Sequence, residues 1–406
     1  MKIALIHNLY PPYSKGGAET VVVNTVQALI SAGHEVFVIS SAPFGEQIDM
    51  VDGVRVYRRC AGNVYSFADG KSHYFVARLI WQCVNMFHVR QAQWVRDVLQ
   101  KEKPDVVHTH NLMGMSFLIP RVIKKLHIPH VHTLHDVQLV EPSGIVIYNR
   151  QSSFRYHNPF SFLYKKIVSF LFGSPDVVIS PSQFLLDWYR QCGFFANTKQ
   201  LLVMKNIQGS VVHTIVKQST QTFRFLFAGQ LEEHKGINVL LDAWSQVSKQ
   251  HVQAHLGIAG SGTMDSAVIE FANKNESVSR LGRLTQTQLS DELMKTDMVI
   301  FPSICIENSP TILFESIQSG TPVIASDMES VREIVREGVE GYLIPVANSG
   351  VLAEKILWCV KNAEKVRALS ARMSEVQKQK QASVDELVGV YTKCHCEEER
   401  SDDVAI

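Results

Sequence analysis

The amino-acid sequence predicts an α/β protein with two doubly wound parallel-sheet domains that follow one another along the chain. Three observations support this prediction. The chain has 406 residues, more than one hydrophobic core normally serves. Short β-branched runs alternate with helical patterns, which is typical of a parallel sheet with helices on both faces. A polar stretch around residues 209–221 interrupts this alternation, which then begins again.

The predicted strands form two sets, one on each side of the polar stretch. The first set is KIALIH (2–7), EVFVIS (35–40), DVVHTH (105–110), HVHTLH (130–135), DVVISPS (176–182) and LLVMKN (201–206). The second set is FRFLFAG (223–229), HLGIAGSG (255–262), SRLGRL (279–284), DMVIFPS (297–303), PVIAS (322–326) and GYLIP (341–345). Both sets open with a strand, a glycine-containing loop and a helix, so we expect two Rossmann-like halves with a cleft between them.

The same patterns set the expected domain boundaries. We expect an N-terminal domain over residues 1–208, a linker over 209–222 and a C-terminal domain over 223–375. A helix over 376–392 is predicted to pack back on the N-terminal domain. The charged tail 393–406 is predicted to be disordered because it is poor in core-forming residues.

Composition excludes several classes of protein. The formal net charge is +1, which gives no basic footprint for nucleic acid. Seven scattered cysteines indicate free thiols in a reducing compartment rather than a disulfide framework. The first apolar run is too short for a signal peptide, and no stretch approaches the roughly 18–20 apolar residues that cross a bilayer. We therefore expect a cytoplasmic protein, with attachment to a membrane surface left open.

The strongest chemical signal lies at residues 302–326, PSICIENSPTILFESIQSGTPVIAS. Pro310 opens a helical pattern, and proline suits the first helical turn because its missing N–H is not needed there. The N–H groups of Thr311 and Ile312 can then face an anion, assisted by the positive end of the helix dipole. This segment therefore predicts a diphosphate site.

Two glutamates flank that predicted helix start. Glu307 lies in the preceding loop, within reach of sugar hydroxyls, and Glu315 lies about one turn into the helix, where it can accept paired hydrogen bonds from ribose hydroxyls. Spacing alone is equally compatible with a capping acid and a solvated acid on the helix surface.

Two glycine-containing loops add further candidates. Lys235 directly precedes Gly236, so an ammonium group can meet a pyrophosphate where glycine permits close approach. A surface lysine is the alternative interpretation. Gly16 and Gly17 offer backbone N–H groups at the start of the first helix, although a glycine pair alone is weak support.

Histidines end two consecutive predicted strands. His110 and His135 are expected to reach the cleft, and Asp136 directly follows His135 in the sequence. His108 and His132 are expected on the opposite face, packed in the core. A zinc pair is the competing interpretation, but neither histidine motif brings the further ligands that a stable site requires, so no metal site is predicted.

Taken in order, FAGQLEEHKG, IAGSG, LGRL, the two glutamates with GTPVIAS, and EGVEGYLIP resemble the retaining glycosyltransferases of family 4, which have the two-domain GT-B fold. The resemblance covers the chain to about residue 392 and is strongest over 223–345. It implies a metal-independent enzyme that moves a hexosyl unit from a nucleoside diphosphate sugar to a hydroxyl of a glycan or lipid-linked glycan, in the synthesis of cell-surface polysaccharide or glycolipid. The nucleotide sugar is then a co-substrate, and no cofactor is expected.

The resemblance also implies roles for particular residues on the donor side. Glu307 would contact the transferred sugar, Lys235 the diphosphate and Glu315 the ribose, while the backbone of Arg283 and Leu284 would contact the nucleobase. The remaining donor-side candidates are Asn308, Ser309, Thr311 and Ile312.

Toward the acceptor, the resemblance places His135 near the transferred sugar and His110 near the acceptor, with Asp136 as a further candidate. Gly16 and Gly17 would approach the phosphate or the acceptor.

One residue departs from the family pattern. Gln230 stands where the family commonly has arginine, and a neutral amide cannot make a charge-assisted hydrogen bond to the leaving group. This departure keeps a non-catalytic nucleotide-sugar-binding protein open as an alternative. A sugar-nucleotide epimerase of the same architecture also stays open. An NAD-dependent dehydrogenase is disfavoured because the first strand lacks the G-x-G-x-x-G turn.

Two aromatic segments have an ambiguous pattern. Residues 154–173 combine aromatics with Arg155, Lys165 and Lys166, and residues 74–87 form a second aromatic helix. Either segment suits an anionic membrane surface, the frame of an acceptor cleft, or a helix packed on its own sheet. Peripheral contact with the inner face of a membrane is therefore an open expectation.

Overall fold

The computed structural model of the protein describes residues 1–13, 16–65, 74–150, 153, 156, 158–209, 221–376 and 383–402. The chain divides into two compact units. The N-terminal unit comprises Met1–Ile145, Ser152–Gln208 and Ala382–Ile406, and the C-terminal unit comprises Val146–Gln151 and Gly209–Gln381. Each unit contains a largely parallel sheet with helices, which confirms the predicted fold class.

The N-terminal unit contains an eight-stranded sheet in the order β3-β4-β2-β1-β5-β6-β7-β8. Its strands are β1 (Lys2–Ile6), β2 (Glu35–Ser41), β3 (Glu46–Val51), β4 (Val54–Arg59), β5 (Val106–Thr109), β6 (His130–Thr133), β7 (Val177–Ser180) and β8 (Gln200–Val203). Its helices up to residue 191 are α1 (Gly17–Ser31), α2 (Phe75–Met86), α3 (Val89–Glu102), α4 (Ile119–Lys125), α5 (Pro159–Phe172) and α6 (Gln183–Gln191). Strands β3 and β4 pair antiparallel, and the other neighbours pair parallel.

The antiparallel hairpin of β3 and β4 was absent from the predicted strands. Its turn is Asp52–Gly53, where both residues have positive φ angles of 47° and 81°. Such a pair favours the two-residue turn that matches the twist of a hairpin. The local signal for this hairpin was therefore present, but β3 lies at the sheet edge with exposed or half-buried side chains and lacks the continuous apolar run of a buried strand.

The C-terminal unit contains a six-stranded, fully parallel sheet in the order β11-β10-β9-β12-β13-β14. Its strands are β9 (Phe223–Ala228), β10 (Ala254–Ala259), β11 (Val278–Gly282), β12 (Met298–Phe301), β13 (Val323–Ser326) and β14 (Gly341–Ile344). Its helices are α7 (Ile237–Ser248), α8 (Asp265–Lys274), α9 (Gln286–Lys295), α10 (Thr311–Gln318), α11 (Glu329–Arg332), α12 (Ser349–Lys361) and α13 (Ala363–Val376), with a short 3-10 helix at Glu233–Lys235.

The strand order of the C-terminal unit reverses between β9 and β12. Chain connections leave these two neighbouring strands in opposite directions, and the carboxyl edge at such a point is where α/β sheets bind ligands. Below this edge, the strands and α7 form a hydrophobic core that includes the buried side chains of Phe225, Leu256 and Trp244. The buried strands hold the loops of the edge in fixed positions.

The C-terminal end of the chain differs from its prediction. The last helix, α14 (Val384–Asp402), belongs to the N-terminal unit and continues beyond residue 392, so residues 393–402 are helical rather than disordered. Leu387, Tyr391 and Cys394 follow helical spacing and are buried in the N-terminal core, which explains why the helix does not end earlier. Residues 403–406 and most of the predicted linker, 210–220, lie outside the described residues.

Two further findings concern the chain as a whole. Residues 146–151 belong to the C-terminal unit, although the sequence placed them inside the domain 1–208. Among the helices of the described residues, none combines the length and apolar content needed to cross a bilayer.

Candidate active site

Lys235 and Glu307 meet at the carboxyl edge of the C-terminal sheet. Lys235 ends the 3-10 helix that follows β9, and Glu307 lies in the loop between β12 and α10. Because β9 and β12 are neighbouring strands, their loops come together, and Nζ of Lys235 lies 2.6 Å from Oε1 of Glu307. The structure thus joins two residues that the sequence singled out separately.

The carboxylate of Glu307 is surrounded by donors on one of its two oxygens. Oε1 accepts hydrogen bonds from the ammonium of Lys235, from the hydroxyl of Ser303 at 2.8 Å and from the thiol of Cys305 at 3.5 Å. The Glu307 side chain is 12% exposed and that of Lys235 is 24% exposed. Within the described residues, all hydrogen bonds to this carboxylate end on Oε1, so Oε2 remains available to a substrate hydroxyl.

Both partners of this pair are charged. Burial raises the pKa of Glu307, but the charge of Lys235 and the donors on Oε1 outweigh burial and hold the pKa below its ordinary value. Burial lowers the pKa of Lys235, and the charge of Glu307 reverses that effect, so its pKa lies above the ordinary value. Burial and the charge of Glu307 raise the pKa of Cys305 to about 12, so its thiol stays protonated.

Glycines allow the surrounding loops to pack directly on one another. Gly236 has a φ of 78°, and a Cβ there would lie 1.9 Å from the carbonyl oxygen of Pro302. At Gly260, a Cβ would lie 1.8 Å from the carbonyl oxygen of Gly229. From the sequence, Gly236 was expected to permit close approach of a diphosphate. The structure instead shows that its missing side chain lets the loop after β9 contact the backbone after β12.

A segment remote in sequence supports the loop that carries Glu307. The N–H of Ile306 donates to the carbonyl of Val146 at 2.8 Å, and the N–H of Tyr148 donates to the carbonyl of Ile304 at 2.9 Å. These two hydrogen bonds form a short antiparallel pairing beside the loop. This contact was not predicted, although the β-branched residues at 145–147 are a weak strand signal.

The helix that follows Glu307 begins as the sequence predicted. Pro310 precedes the first residue, Thr311, and has an extended conformation with φ −61° and ψ 117°. The N–H groups of Thr311 and Ile312 have no acceptor within the helix, whereas the N–H of Leu313 donates to the carbonyl of Pro310 at 3.1 Å. Asn308 and Ser309 form the end of the loop, with Asn308 buried. An anion placed here would face these N–H groups.

Glu315 and the loop after β11 are linked by a residue that the sequence analysis did not consider. Oε1 of Glu315 accepts a hydrogen bond from Nε2 of Gln286 at 2.9 Å. Gln286 begins α9, two positions after the half-buried Leu284 and three after the exposed Arg283. Burial raises the pKa of Glu315, and the bond from Gln286 offsets this only in part. The predicted ribose and nucleobase contacts therefore lie in one region, with the exposed Gln230 just after β9.

The N-terminal unit gathers histidines at the same edge of its own sheet. Nδ1 of His110 and Nε2 of His135 lie 2.8 Å apart. The ring of His7, which follows β1, lies 6.0 Å from that of His110 and 6.1 Å from that of His135. Within the described residues, Nε2 of His7 and Nε2 of His110 are buried without a hydrogen-bond partner. His7 was not among the predicted site residues, although it ends a predicted strand.

Burial keeps this cluster neutral. It lowers the pKa of His7 and His110 well below the ordinary histidine value, with neighbouring histidines adding to the effect. Burial also lowers the pKa of His135 to about 4. In the described part of the chain, no three His, Cys, Asp or Glu side chains are arranged to hold a metal ion. The cluster therefore offers neutral hydrogen-bonding groups to a ligand.

The predicted orientation of His108 is wrong. Its ring lies 4.2 Å from the ring of His110, so both histidines lie on the same side of the sheet, as residues two apart in a strand do. Its Nε2 lies 2.7 Å from Oγ1 of Thr133, and its Nδ1 lies 2.6 Å from the hydroxyl of Tyr391. His132 packs against Phe172, with ring centroids 4.8 Å apart.

Asp136 and Gly16 are both engaged within the N-terminal unit. Asp136 accepts hydrogen bonds from Nδ2 of Asn111 at 3.0 Å and from the N–H of Gln138 at 2.8 Å. Burial nevertheless raises the pKa of Asp136 to about 6. The N–H of Gly16 donates to the Glu19 carboxylate at 2.8 Å, so it is already satisfied within the N-terminal unit. The N–H of Gly17, the first residue of α1, has no acceptor within the helix.

Two protein-family models match the chain, one for each half. The Glycosyltransferase Family 4 model matches residues 15–199, and the Glycosyl transferases group 1 model matches residues 213–376. Together the two models match most of the chain, so the chain belongs to the glycosyltransferases that they describe. The protein is therefore an enzyme of the transferase class.

Relatives and solved structures agree with this assignment. Glycogen synthase of Mycobacterium tuberculosis is 25% identical over 353 residues, covering 84% of this chain and 81% of the relative. An uncharacterised 42.6 kDa protein in the cps region of Klebsiella pneumoniae is 24% identical over 337 residues, covering 83% and 88%.

Among solved structures, sucrose-phosphate synthase from Thermosynechococcus elongatus has a TM-score of 0.73 at 18% identity, over 98% of this chain and 99% of that one. Anabaena HepE in complex with UDP-glucose has a TM-score of 0.66 at 17% identity, over 100% of both chains. These likenesses show the GT-B fold.

Proposed function

We propose that the protein transfers a hexosyl unit from a nucleoside diphosphate sugar to a hydroxyl of a glycan or lipid-linked glycan, with retention of the anomeric configuration. The observation that carries the proposal is the ion pair of Lys235 and Glu307 beside the start of α10. Among similar proteins, HepE was solved with UDP-glucose, which supports a nucleotide sugar as the donor class.

In the proposed donor complex, the diphosphate lies at the first turn of α10. The N–H groups of Thr311 and Ile312 donate to it, and the helix dipole favours its charge. The ammonium of Lys235 has three protons, of which one faces Glu307, so the others remain for phosphate oxygens. Lys235 thus stabilises the negative charge that develops on the leaving group.

The carboxylate of Glu307 has two roles in this proposal. Through Oε1 it holds Lys235 charged and oriented, and through Oε2 it accepts a hydrogen bond from a hydroxyl of the transferred sugar. Glu315 accepts from the ribose hydroxyls, and Gln286 fixes the position of its carboxylate.

The proposed transfer occurs on one face of the sugar. The bond between the anomeric carbon and the phosphate oxygen breaks, and its electron pair leaves with the diphosphate. The acceptor oxygen bonds to the anomeric carbon from the same side, and its proton passes to an oxygen of the leaving phosphate. Orientation and electrostatic stabilisation are the contributions asked of the protein. We include neither a metal ion nor a cofactor, because Lys235 and the helix start supply positive charge.

We assign the acceptor to the N-terminal unit. Nε2 of His110 is buried and unpartnered among the described residues, so it can hydrogen-bond an acceptor hydroxyl, with His135 nearer the transferred sugar and Asp136 beside them. We also propose a cytoplasmic protein that contacts the inner face of a membrane, where a lipid-linked acceptor would be found.

The proposal is tested by measuring how a panel of nucleoside diphosphate sugars binds the purified protein. At least one should bind, and Glu307→Ala and Lys235→Ala should each weaken binding severely. Lys249→Ala is the matched control, since Lys249 is an exposed lysine of the same unit. Unchanged binding in both site variants would remove the assignment.

Product analysis separates the alternatives. With an acceptor present, proton NMR of the product should show the anomeric configuration of the donor. An isomerised nucleotide sugar formed without acceptor would indicate an epimerase. Donor binding without turnover on any glycan acceptor would favour the non-catalytic protein, for which Gln230 is the sequence observation.

A further inference from the structure

Helix α2 of the N-terminal unit exposes an apolar stripe. Its exposed apolar residues recur at spacings of three and four, which places them on one face: Val76, Leu79, Ile80 and Cys83, with Phe87 directly after the last residue of the helix. The opposite face buries Trp81 and Met86 together with the polar side chains of Gln82 and Asn85. A helix on the surface of a protein in water normally exposes polar rather than apolar side chains. The exposed face of α2 therefore suits an apolar environment.

Helix α5 has a similar exposed face and adjoins α2. Phe160, Phe162 and Phe170 are 84%, 64% and 70% exposed. The buried Tyr164 joins the helices, because its hydroxyl accepts a hydrogen bond from Nε2 of Gln82 at 3.0 Å. We call the exposed apolar residues of α2 and α5 together the apolar surface. Apolar side chains exposed in such number on neighbouring helices mark an interaction site.

The charges on these helices have one sign. Arg78 of α2 and Lys165 and Lys166 of α5 are basic, and neither helix contains an acidic residue. Nζ of Lys166 lies 5.5 Å from the ring centroid of Phe162. The guanidinium of Arg121 lies 4.2 Å from that of Phe170. Positive charge thus lies beside the exposed aromatics, although the whole chain is nearly neutral at +1.

We propose that the apolar surface docks on an anionic phospholipid bilayer. Aromatic and aliphatic side chains enter the boundary between headgroups and acyl chains, while the basic side chains remain among the phosphates. The combination of exposed phenylalanines with basic residues, and without acidic ones, favours an anionic lipid surface over a protein partner. The proposal rests on the proposed function for its purpose, which is access to a lipid-linked acceptor, but its test needs no acceptor.

The test measures co-sedimentation of the purified chain with vesicles. Phosphatidylcholine vesicles with about a third phosphatidylglycerol should bind the protein, pure phosphatidylcholine should bind it more weakly, and added salt should release it. The double variant Phe160→Asp/Phe162→Asp should lower partitioning on the anionic vesicles at least about 10-fold. Ile269→Asp is the matched control, because Ile269 is an exposed helical residue of the C-terminal unit, and it should bind like the unmodified chain.

Nucleotide-sugar binding is measured on the same samples and should be equal in all of them. Equal sedimentation of the unmodified chain and the double variant would overturn the docking proposal, as would failure to bind anionic vesicles. A protein partner would then be left as the occupant of the surface. Loss of nucleotide-sugar binding in every sample, with vesicle binding intact, would count against the proposed function alone.

Discussion

The C-terminal unit buries an ion pair at the carboxyl edge of its sheet, whereas the N-terminal unit buries imidazoles at the corresponding edge. In the first, Lys235 and Glu307 lie 2.6 Å apart and both are charged. In the second, His110 and His135 lie 2.8 Å apart and both are neutral, with pKa values lowered by burial. The two sheets therefore differ at the corresponding edge, where one unit presents charged side chains and the other presents neutral ones.

The difference shows what decides whether a buried group keeps its charge. Burial acts against the charged form in both units. Glu307 remains ionised because a cation and two other donors contact Oε1. Among the described residues, the carboxylate of Glu315 in the same unit accepts a side-chain hydrogen bond only from the amide of Gln286, and burial raises its pKa. Fixed charge suits the diphosphate of a donor, and neutral hydrogen-bonding groups suit the hydroxyls of an acceptor.

Removing the cation should have the largest effect. Lys235→Met keeps the length of the side chain but removes the ammonium, so turnover should fall about 10²–10³-fold because the leaving group loses its stabilisation. The C-terminal unit should also lose roughly 3 kcal/mol of unfolding free energy, since Glu307 is left as a buried, unpaired carboxylate. Steady-state kinetics and urea unfolding measure the two effects.

A second substitution distinguishes charge from packing. Adding Glu307→Gln to Lys235→Met should restore part of the stability, because no buried charge remains, but it should not restore turnover. Lys249→Met is the control and should change neither quantity. If Lys235→Met behaves like this control, the contrast between the two units has no functional meaning.

Lowering the pH should destabilise the N-terminal unit first. Burial lowers the pKa of His108 to about 3 and those of His130 and His135 to about 4, whereas an unfolded chain titrates near 6.5. Between these values the unfolded state binds more protons than the folded state. Stability is therefore complete above about pH 6.5 and falls as pH drops toward about 4, by up to about 1.4 kcal/mol per pH unit for each histidine.

Hydrogen exchange, corrected for intrinsic rates, can follow the two sheets separately. Protection in β5 and β6 should fall between pH 7 and pH 5, while protection in β9 and β12 should change less. The pKa of Glu307 is lowered, so its contribution to stability is present above the pKa of an unfolded glutamate and is lost only as pH falls through its lower folded value. Equal loss in both sheets would contradict the contrast.

The core strands were predictable because each buried parallel strand is a short, nearly continuous apolar run. All twelve predicted strands have a counterpart among the fourteen strands of the described residues. The two that were missed form the hairpin at the sheet edge, where the side chains of β3 are exposed or half-buried and polar residues interrupt the apolar residues of both strands. The sequence also indicated which loops lie at the carboxyl edge. Lys235 and Glu307 were predicted as site residues on that basis, although they are 72 positions apart.

Contacts between loops were less predictable. Gln286 beside Glu315, and the pairing of residues 146–148 with the loop before Glu307, depend on how remote segments fold together. Neither contact has a local sequence pattern that identifies the partner residue. His108 is different: residues two apart in a strand share a face, so the sequence already contained the information that would have placed it beside His110.

A smaller effect is expected when Glu315 loses its charge. Glu315→Gln should weaken nucleotide-sugar binding about 10-fold, because hydrogen bonds from ribose hydroxyls to a carboxylate are stronger than those to an amide. Calorimetric titration measures this change. A donor analogue lacking the ribose 2′- and 3′-hydroxyls should bind the variant and the unmodified chain equally. Glu354→Gln, on the exposed face of α12, is the control and should discriminate the two donors as the unmodified chain does.

The smallest effect is expected at the link between α14 and the histidines. Tyr391→Phe removes the hydroxyl 2.6 Å from Nδ1 of His108, which should cost about 1 kcal/mol of unfolding free energy, as measured by urea unfolding. The dependence of stability on pH should not change, because burial is the largest cause of the lowered pKa of His108. Tyr342→Phe in the C-terminal unit serves as the control for loss of a tyrosine hydroxyl. A shallower pH dependence in Tyr391→Phe alone would mean that the hydroxyl, and not burial, keeps His108 neutral, and the rule drawn from the two units would then fail at this histidine.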